Sequence, residues 1–128
     1  MKFSESTIYK DGLNLMRTLS NKVKNISVAN RETLGNGVIE HMTLFMTGMK
    51  NCWKSGEISP KLTFLESAID ELENGLLFFE MISFCENYTT NQSAAVIKDF
   101  GNLFNQVGGL KKQIENKKHN AIEPSAES

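Results

Sequence analysis

SPKLTFLESAIDELENGLLFFEMISF, residues 59–84, decides the fold. Ser59 reads as an N-cap and Pro60 as the first helical residue, where its missing N–H costs nothing because first-turn amides have no intrahelical partner. Leu62, Leu65, Ile69, Leu72, Leu76 and Phe79 then recur at three- and four-residue steps, running on towards Ile82 and Phe84. That spacing lays one apolar stripe along a helix, whereas a half-buried strand would need strict alternation.

The same period extends in both directions. Upstream, Leu34, Val38, Met42, Phe45, Met49 and Cys52 form the stripe of helix 2, with Trp53 flanking it and Asn30 as its candidate N-cap. This helix is expected to end near Lys54, before Ser55-Gly56. Helix 1 is expected over residues 4–25, its stripe formed by Tyr9, Leu13, Met16 and Val23 with Leu15 and Leu19 beside it. Downstream, the polar run ENYTTNQS (86–93) is read as a connection. Helix 4 follows, with Val96 or Ile97, Phe100, Leu103, Val107, Leu110 and Ile114. Three short connections make each helix antiparallel to the next, so the expected fold is all-α: an antiparallel up-down-up-down four-helix bundle over residues 1–118. HNAIEPSAES (119–128) loses all periodicity and is expected to be a disordered tail. Six methionines and a wide apolar stripe exceed what one four-helix core needs, which points to a homo-oligomer.

Eight glycines fall within the proposed helices: Gly12, Gly35, Gly37, Gly48, Gly75, Gly101, Gly108 and Gly109. Each costs about 0.5–1 kcal/mol against alanine in a helix interior. The adjacent pair Gly108-Gly109 is read as a place where another helix, subunit or nucleic-acid backbone comes close.

At 128 residues, with 40% hydrophobic and 23% charged positions, the chain is the size and composition of one globular domain. No apolar run reaches the roughly 18 residues of a membrane span. The start, MKFSESTIYK, has no apolar stretch of the secretory kind, so a cytoplasmic location and no membrane partner are expected. Cys52 and Cys85 fall in apolar helical patterns and read as buried small hydrophobes rather than a disulfide. His41 and His119 are far apart and lack metal-ligand spacing. Phosphate-loop glycines, a nucleophile elbow, HExxH and CxxC are all missing from the sequence, so no catalytic residue, metal ligand or cofactor is expected. Glu66, Asp70 and Glu73 share one helix face, but beside the apolar stripe instead of within it, as a solvated surface would.

A net charge of −1 hides segregation. Lys10, Arg17, Lys22, Lys24 and Arg31 stand against Asp11 alone, a balance of +4. Residues 57–86 carry seven acids against Lys61, a balance of −6, and residues 98–118 carry five lysines against two acids, +3. Helices 1 and 4 are neighbours in the expected bundle, so their cations could share a phosphate-binding face. Equally, basic and acidic faces of different subunits could meet. A helical adaptor or chaperone binding protein through the acidic helix 3, without nucleic acid, stays open as an alternative.

With the helices placed, three segments carry a resemblance. Asn30-Arg31-Glu32-Thr33-Leu34-Gly35, followed by Val38-Ile39 and the run to Met49, is similar to the Arg-x-x-Leu-Gly opening of helix 2 in a four-helix-bundle family. Lys61-Leu62, Leu65, Ala68, Leu72 and Leu76 resemble that family's third helix. Phe104 to Ile114, with Val107-Gly108-Gly109-Leu110-Lys111, resembles its closing Gly-rich basic segment. The family is that of the accessory variability determinant (Avd) proteins of diversity-generating retroelements, related to the bundle proteins of ribosomal-RNA intervening sequences. The resemblance implies a pentameric barrel of bundles that holds the element's reverse transcriptase and binds RNA or DNA. It makes Arg17, Lys22, Lys24 and Arg31 candidate nucleic-acid contacts, with Lys111 and Lys112 beside the glycine pair.

Overall fold

A computed structural model describes the backbone of residues 1–127 and the side chains of residues 1–120. Among the described residues every regular element is helical and none is a strand. A 3-10 turn, Phe3–Glu5, leads into α1, Thr7–Lys24. The next long helix, α2, has three continuous parts: a first turn Val28–Asn30, a π-helical segment Arg31–Gly35, and an α-helical body Asn36–Lys54. Helix α3 covers Ile58–Cys85 and α4 covers Thr90–Glu127. The tail expected over 119–128 lies, from residue 121 onward, outside the described side chains.

Each boundary has a local cause. Ser6 caps α1, its hydroxyl accepting the Tyr9 N–H at 3.2 Å. Asn30 does not cap α2 as expected. It is itself helical, and its side chain reaches Glu86 instead. Helix α3 begins one residue before Ser59, so Pro60 is the third helical residue, still within the first turn where its absent N–H is harmless. Asn87, at φ 56°, takes the left-handed conformation that closes α3, and the Tyr88 N–H reaches back to the Ser83 carbonyl at 2.9 Å. Thr89 and Gln92 then form a capping box: the Gln92 N–H donates to Thr89 Oγ1 at 3.2 Å and the Thr89 N–H to Gln92 Oε1 at 2.7 Å. The expected connection 86–93 is shorter for this reason.

One apolar core joins the four helices. Val38, Met42, Phe45, Met49 and Cys52 of α2 are buried, as are Leu62, Leu65, Ala68, Leu72, Phe79 and Ile82 of α3. From α4 come Val96, Phe100, Leu103, Val107 and Ile114, and the Phe79 and Phe100 rings meet at 6.4 Å. The stripe of α1 is not the expected one. Ile8, Gly12, Leu15 and Leu19 are buried, while Tyr9, Met16 and Val23 are half-buried and Leu13 is exposed. Gly12 explains the difference, because a count of apolar residues skips it although it holds the buried position one turn from Ile8. Phe84 and Cys85, expected in the core, are exposed.

Helix α2 packs most extensively on α3, and α4 contacts both α3 and α1, while α1 also contacts α2. A Cβ added at Gly48 would stand 3.0 Å from the Ala68 Cβ, and one at Gly75 3.2 Å from Met42 Sδ. One at Gly37 would collide with the Phe78 ring. These three glycines therefore set the spacing of α2 and α3. Gly12 and Gly35 face Met46 and Val23 between α1 and α2 in the same way. Gly108 and Gly109 do not: among the described residues nothing comes within 4 Å of a Cβ at either position.

The two kinds of glycine should respond oppositely to alanine. Gly48→Ala overpacks the α2–α3 contact and is expected to cost about 1 kcal/mol net of its helix-propensity gain. Gly109→Ala meets open space and should add about 0.5–1 kcal/mol. Urea unfolding of both variants beside the parent checks the pair of signs.

Candidate functional site

The six candidate cations do not form one cluster. Arg17 and Lys24 lie exposed on α1. Lys22, on the same helix, is half-buried: its Nζ donates to the Gln92 carbonyl at 3.0 Å and sits 5.2 Å from the centre of the Tyr88 ring. Arg31 donates to the carbonyls of Lys24 and Ile26, both at 3.1 Å, and so closes the turn between α1 and α2. Lys111 faces α3, 3.9 Å from Glu66, and Lys112 is exposed beside it. Lys22 meets α4 at Gln92, and Lys111 lies 19 residues further along that helix, about 28 Å away at 1.5 Å per residue.

The contact line between α1 and α4 is not basic. Thr7 Oγ1 donates to Gln106 Oε1 at 2.8 Å, and Gln106 Nε2 donates to Asp11 Oδ2 at 2.7 Å. A small cleft further along is lined by Asp11, Asn14, Asp99 and Asn102. Residue counts alone could not separate these side chains from the lysines on the same helices.

On the outside of α1 the picture changes. Lys10, Arg17 and Lys24 repeat every seven residues, which puts them on one line two turns apart, or about 10.5 Å per step. All three are exposed, and none makes an ion pair among the described residues. Of the three, Lys10 is not among the residues that the resemblance makes candidates. Its charge is visible in the sequence, but the seven-residue register stands out only against the buried side of α1, Ile8, Gly12, Leu15 and Leu19.

A groove between α1 and α2 lies to one side of that line. Its open end is lined by Lys2, Phe3, Tyr9, Lys50, Trp53 and Lys54, in a cleft of about 470 Å³. Phe3 packs against both aromatic neighbours, at 5.3 Å from Tyr9 and 5.5 Å from Trp53, and the Trp53 Nε1–H donates to the Met1 carbonyl at 3.2 Å. The groove continues past Leu13, Met16, Thr43 and Met46 as an almost wholly apolar cleft of about 240 Å³.

Elsewhere the reactive groups are tied to the fold. The Lys61 ammonium donates to the carbonyls of Cys52 at 2.7 Å and Ser55 at 2.6 Å, capping the end of α2 where the helix dipole is negative. Burial pushes the neighbouring Cys52 thiol above its ordinary pKa despite that ammonium, so the thiolate nucleophile is disfavoured. His41 Nδ1 and Glu71 Oε2 are 2.6 Å apart across α2 and α3, with the Phe78 ring edge-on to the imidazole at 4.9 Å. Among the described residues no three His, Cys, Asp or Glu side chains are grouped to hold a metal, and no helix is long and apolar enough to cross a membrane.

No family model matches the chain, and no curated protein or solved structure matches it either.

Glu86 ties the α1–α2 corner to the end of α3. Its carboxylate accepts from the Asn30 side chain and from the Ser27 N–H and hydroxyl, both at 3.1 Å. The Asn30 bond is the largest cause; burial opposes it, and the two weaker Ser27 bonds add to it, so the pKa lies below the ordinary carboxylate value. A depressed folded-state pKa means stability present above the unfolded value and lost as pH falls through the folded one. Glu86→Gln should therefore flatten the acid limb of a melting temperature-against-pH curve below about pH 4.5. A curve parallel to the parent's would remove this role.

Proposed function

We propose that the chain is a non-enzymatic accessory protein of a diversity-generating retroelement, which assembles into a homo-oligomer and engages a reverse transcriptase and RNA or DNA. The unit of assembly is an antiparallel up-down-up-down four-helix bundle. Its direction is supported by which residues meet: 12 with 46 and 35 with 23 between α1 and α2, 48 with 68 and 75 with 42 between α2 and α3. Ser83 with Ser93 and Glu66 with Lys111 do the same for α3 and α4.

The observation that carries nucleic-acid binding is the unpaired row Lys10, Arg17 and Lys24 on α1. Cations with no internal partner keep their hydration and their counterion-releasing capacity for phosphates. Lys22 and Arg31 serve the fold instead, so the contact set moves from α1's end to its outer line. The retroelement role and the reverse-transcriptase partner rest on the resemblance of residues 30–49, 61–76 and 104–114 to the Avd family.

A second reading, a protein adaptor, is favoured by one observation. The outer face of α3 carries Leu77, Met81 and Phe84 at 52%, 40% and 84% exposure, and these are costly to leave in water without a partner.

The test is a salt titration of binding to single-stranded RNA and DNA. Replacing Lys10, Arg17 and Lys24 with glutamine should weaken binding and lower the slope of log affinity against log salt by up to about three units, one per lost contact. Melting should barely change, because exposed unpaired charges contribute little to stability. Unchanged affinity and slope would transfer the assignment to the adaptor reading.

A further inference from the structure

The outward line of α3 has two halves. Glu66, Asp70 and Glu73 occupy the first half and Leu77, Met81 and Phe84 the second, all exposed. Steps of four, three, four, four and three residues keep these six on one side of the helix, opposite the buried stripe Leu65, Leu72 and Phe79. The face is therefore acidic over its first half and mainly apolar over its second, where the exposed Glu80 stands at the edge of the apolar row.

The groove between α1 and α2 shows the complementary order. Lys50 and Lys54 stand at its open end, and Tyr9, Leu13, Met16 and Met46 line the rest. The lengths agree as well. Tyr9 to Met16 is seven residues, as is Leu77 to Phe84, so each apolar segment is about 10.5 Å long. Helix α3 does not border this groove in its own chain. Both surfaces are left open by one chain; their charges are opposite and their apolar segments correspond in position.

We infer that the occupant of this groove is α3 of a second copy of the chain. This deepens the oligomeric part of the function proposed above by naming the two surfaces that meet. In the pairing, the partner copy's α3 runs parallel to α1, its acidic half beside Lys50 and Lys54 and its apolar half over Leu13, Met16 and Met46. The two surfaces are different, so the contact is head-to-tail. Each added copy leaves one groove and one α3 face open, and growth stops only when a ring closes. The charge order also sets polarity, since reversing α3 in the groove would put carboxylates on an apolar wall and leave both lysines facing Leu77 and Phe84.

The test uses two variants of the full chain, each disabling one surface at exposed positions. Thr43→Glu with Lys50→Glu blocks the groove. Leu77→Glu with Phe84→Glu blocks α3. Sedimentation equilibrium at tens of micromolar is expected to show the parent larger than a dimer and each variant alone as a monomer, with parental helical circular dichroism. Mixed in equal amounts, the two variants should form a one-to-one dimer and nothing larger, because one intact groove meets one intact α3 face and no further pair exists. A monomeric parent would overturn the inference and leave the α3 face to a different protein. So would a variant that keeps the parent's mass, or a mixture that stays monomeric. Neither variant touches Lys10, Arg17 or Lys24, so each should keep salt-dependent RNA binding per chain, and failure of that reading would appear separately.

Discussion

Positions 37, 48 and 75 are glycine because Phe78, Ala68 and Met42 already occupy the space that a side chain there would need. Without those side chains, α2 and α3 approach closely enough for their buried rows to interlock, and this is the most extensive helix contact in the molecule. The remaining pieces follow from that pairing. Helix α4 covers the edge of α3 through Phe100 against Phe79 and Gly75, and α1 covers α2 through Gly12 and Gly35. With α3's inner side turned to the core, its acids and its second apolar row are left on the outside, where Leu77 and Phe84 stand in solvent.

The entry to α2 shows how one local irregularity serves this packing. Across Arg31–Gly35 the helix widens, and the Asn36 N–H reaches back five residues to the Arg31 carbonyl. The widened turn lets Gly35 lie against Val23, while Arg31 turns back to bond the carbonyls that end α1 and Asn30 reaches Glu86 on α3. Three helices thus meet at one corner. The segment coincides with the Arg-x-x-Leu-Gly run singled out in the sequence, which gives that run a structural reason in this chain: an arginine to close a turn and a glycine to admit a valine.

Much of the core is legible in the sequence, because Val38, Met42, Phe45 and Met49, or Phe100, Leu103 and Val107, follow the helical period with large apolar side chains. Helix α1 departs from the expected stripe for a plain reason. Its buried row passes through Gly12, which contributes no hydrophobicity, so the flanking row of Tyr9, Leu13 and Met16 carried the stronger signal. The ends of α4 and α2 were obscured by side chains whose partners are remote or reciprocal: Gln92 returning to Thr89, and Asn30 bonding a carboxylate 56 residues away. Charge was the least legible property. Lys22, Lys61 and Arg31 are spatially committed to backbone carbonyls, and no count of lysines along a helix distinguishes them from Lys10 or Lys24.

The two thiols differ in reach: Cys52 is enclosed and Cys85 is open to solvent at the far end of α3. The single tryptophan, Trp53, lies just before that helix begins. Ile58 and Cys85 are 27 residues apart, so a dye coupled to Cys85 would stand on the order of 40 Å from the indole along one copy. The chain consequently carries its own optical donor and a unique attachment point for an acceptor, without any engineered residue. That separation limits transfer within one copy, so a signal that rises with protein concentration would report association of copies.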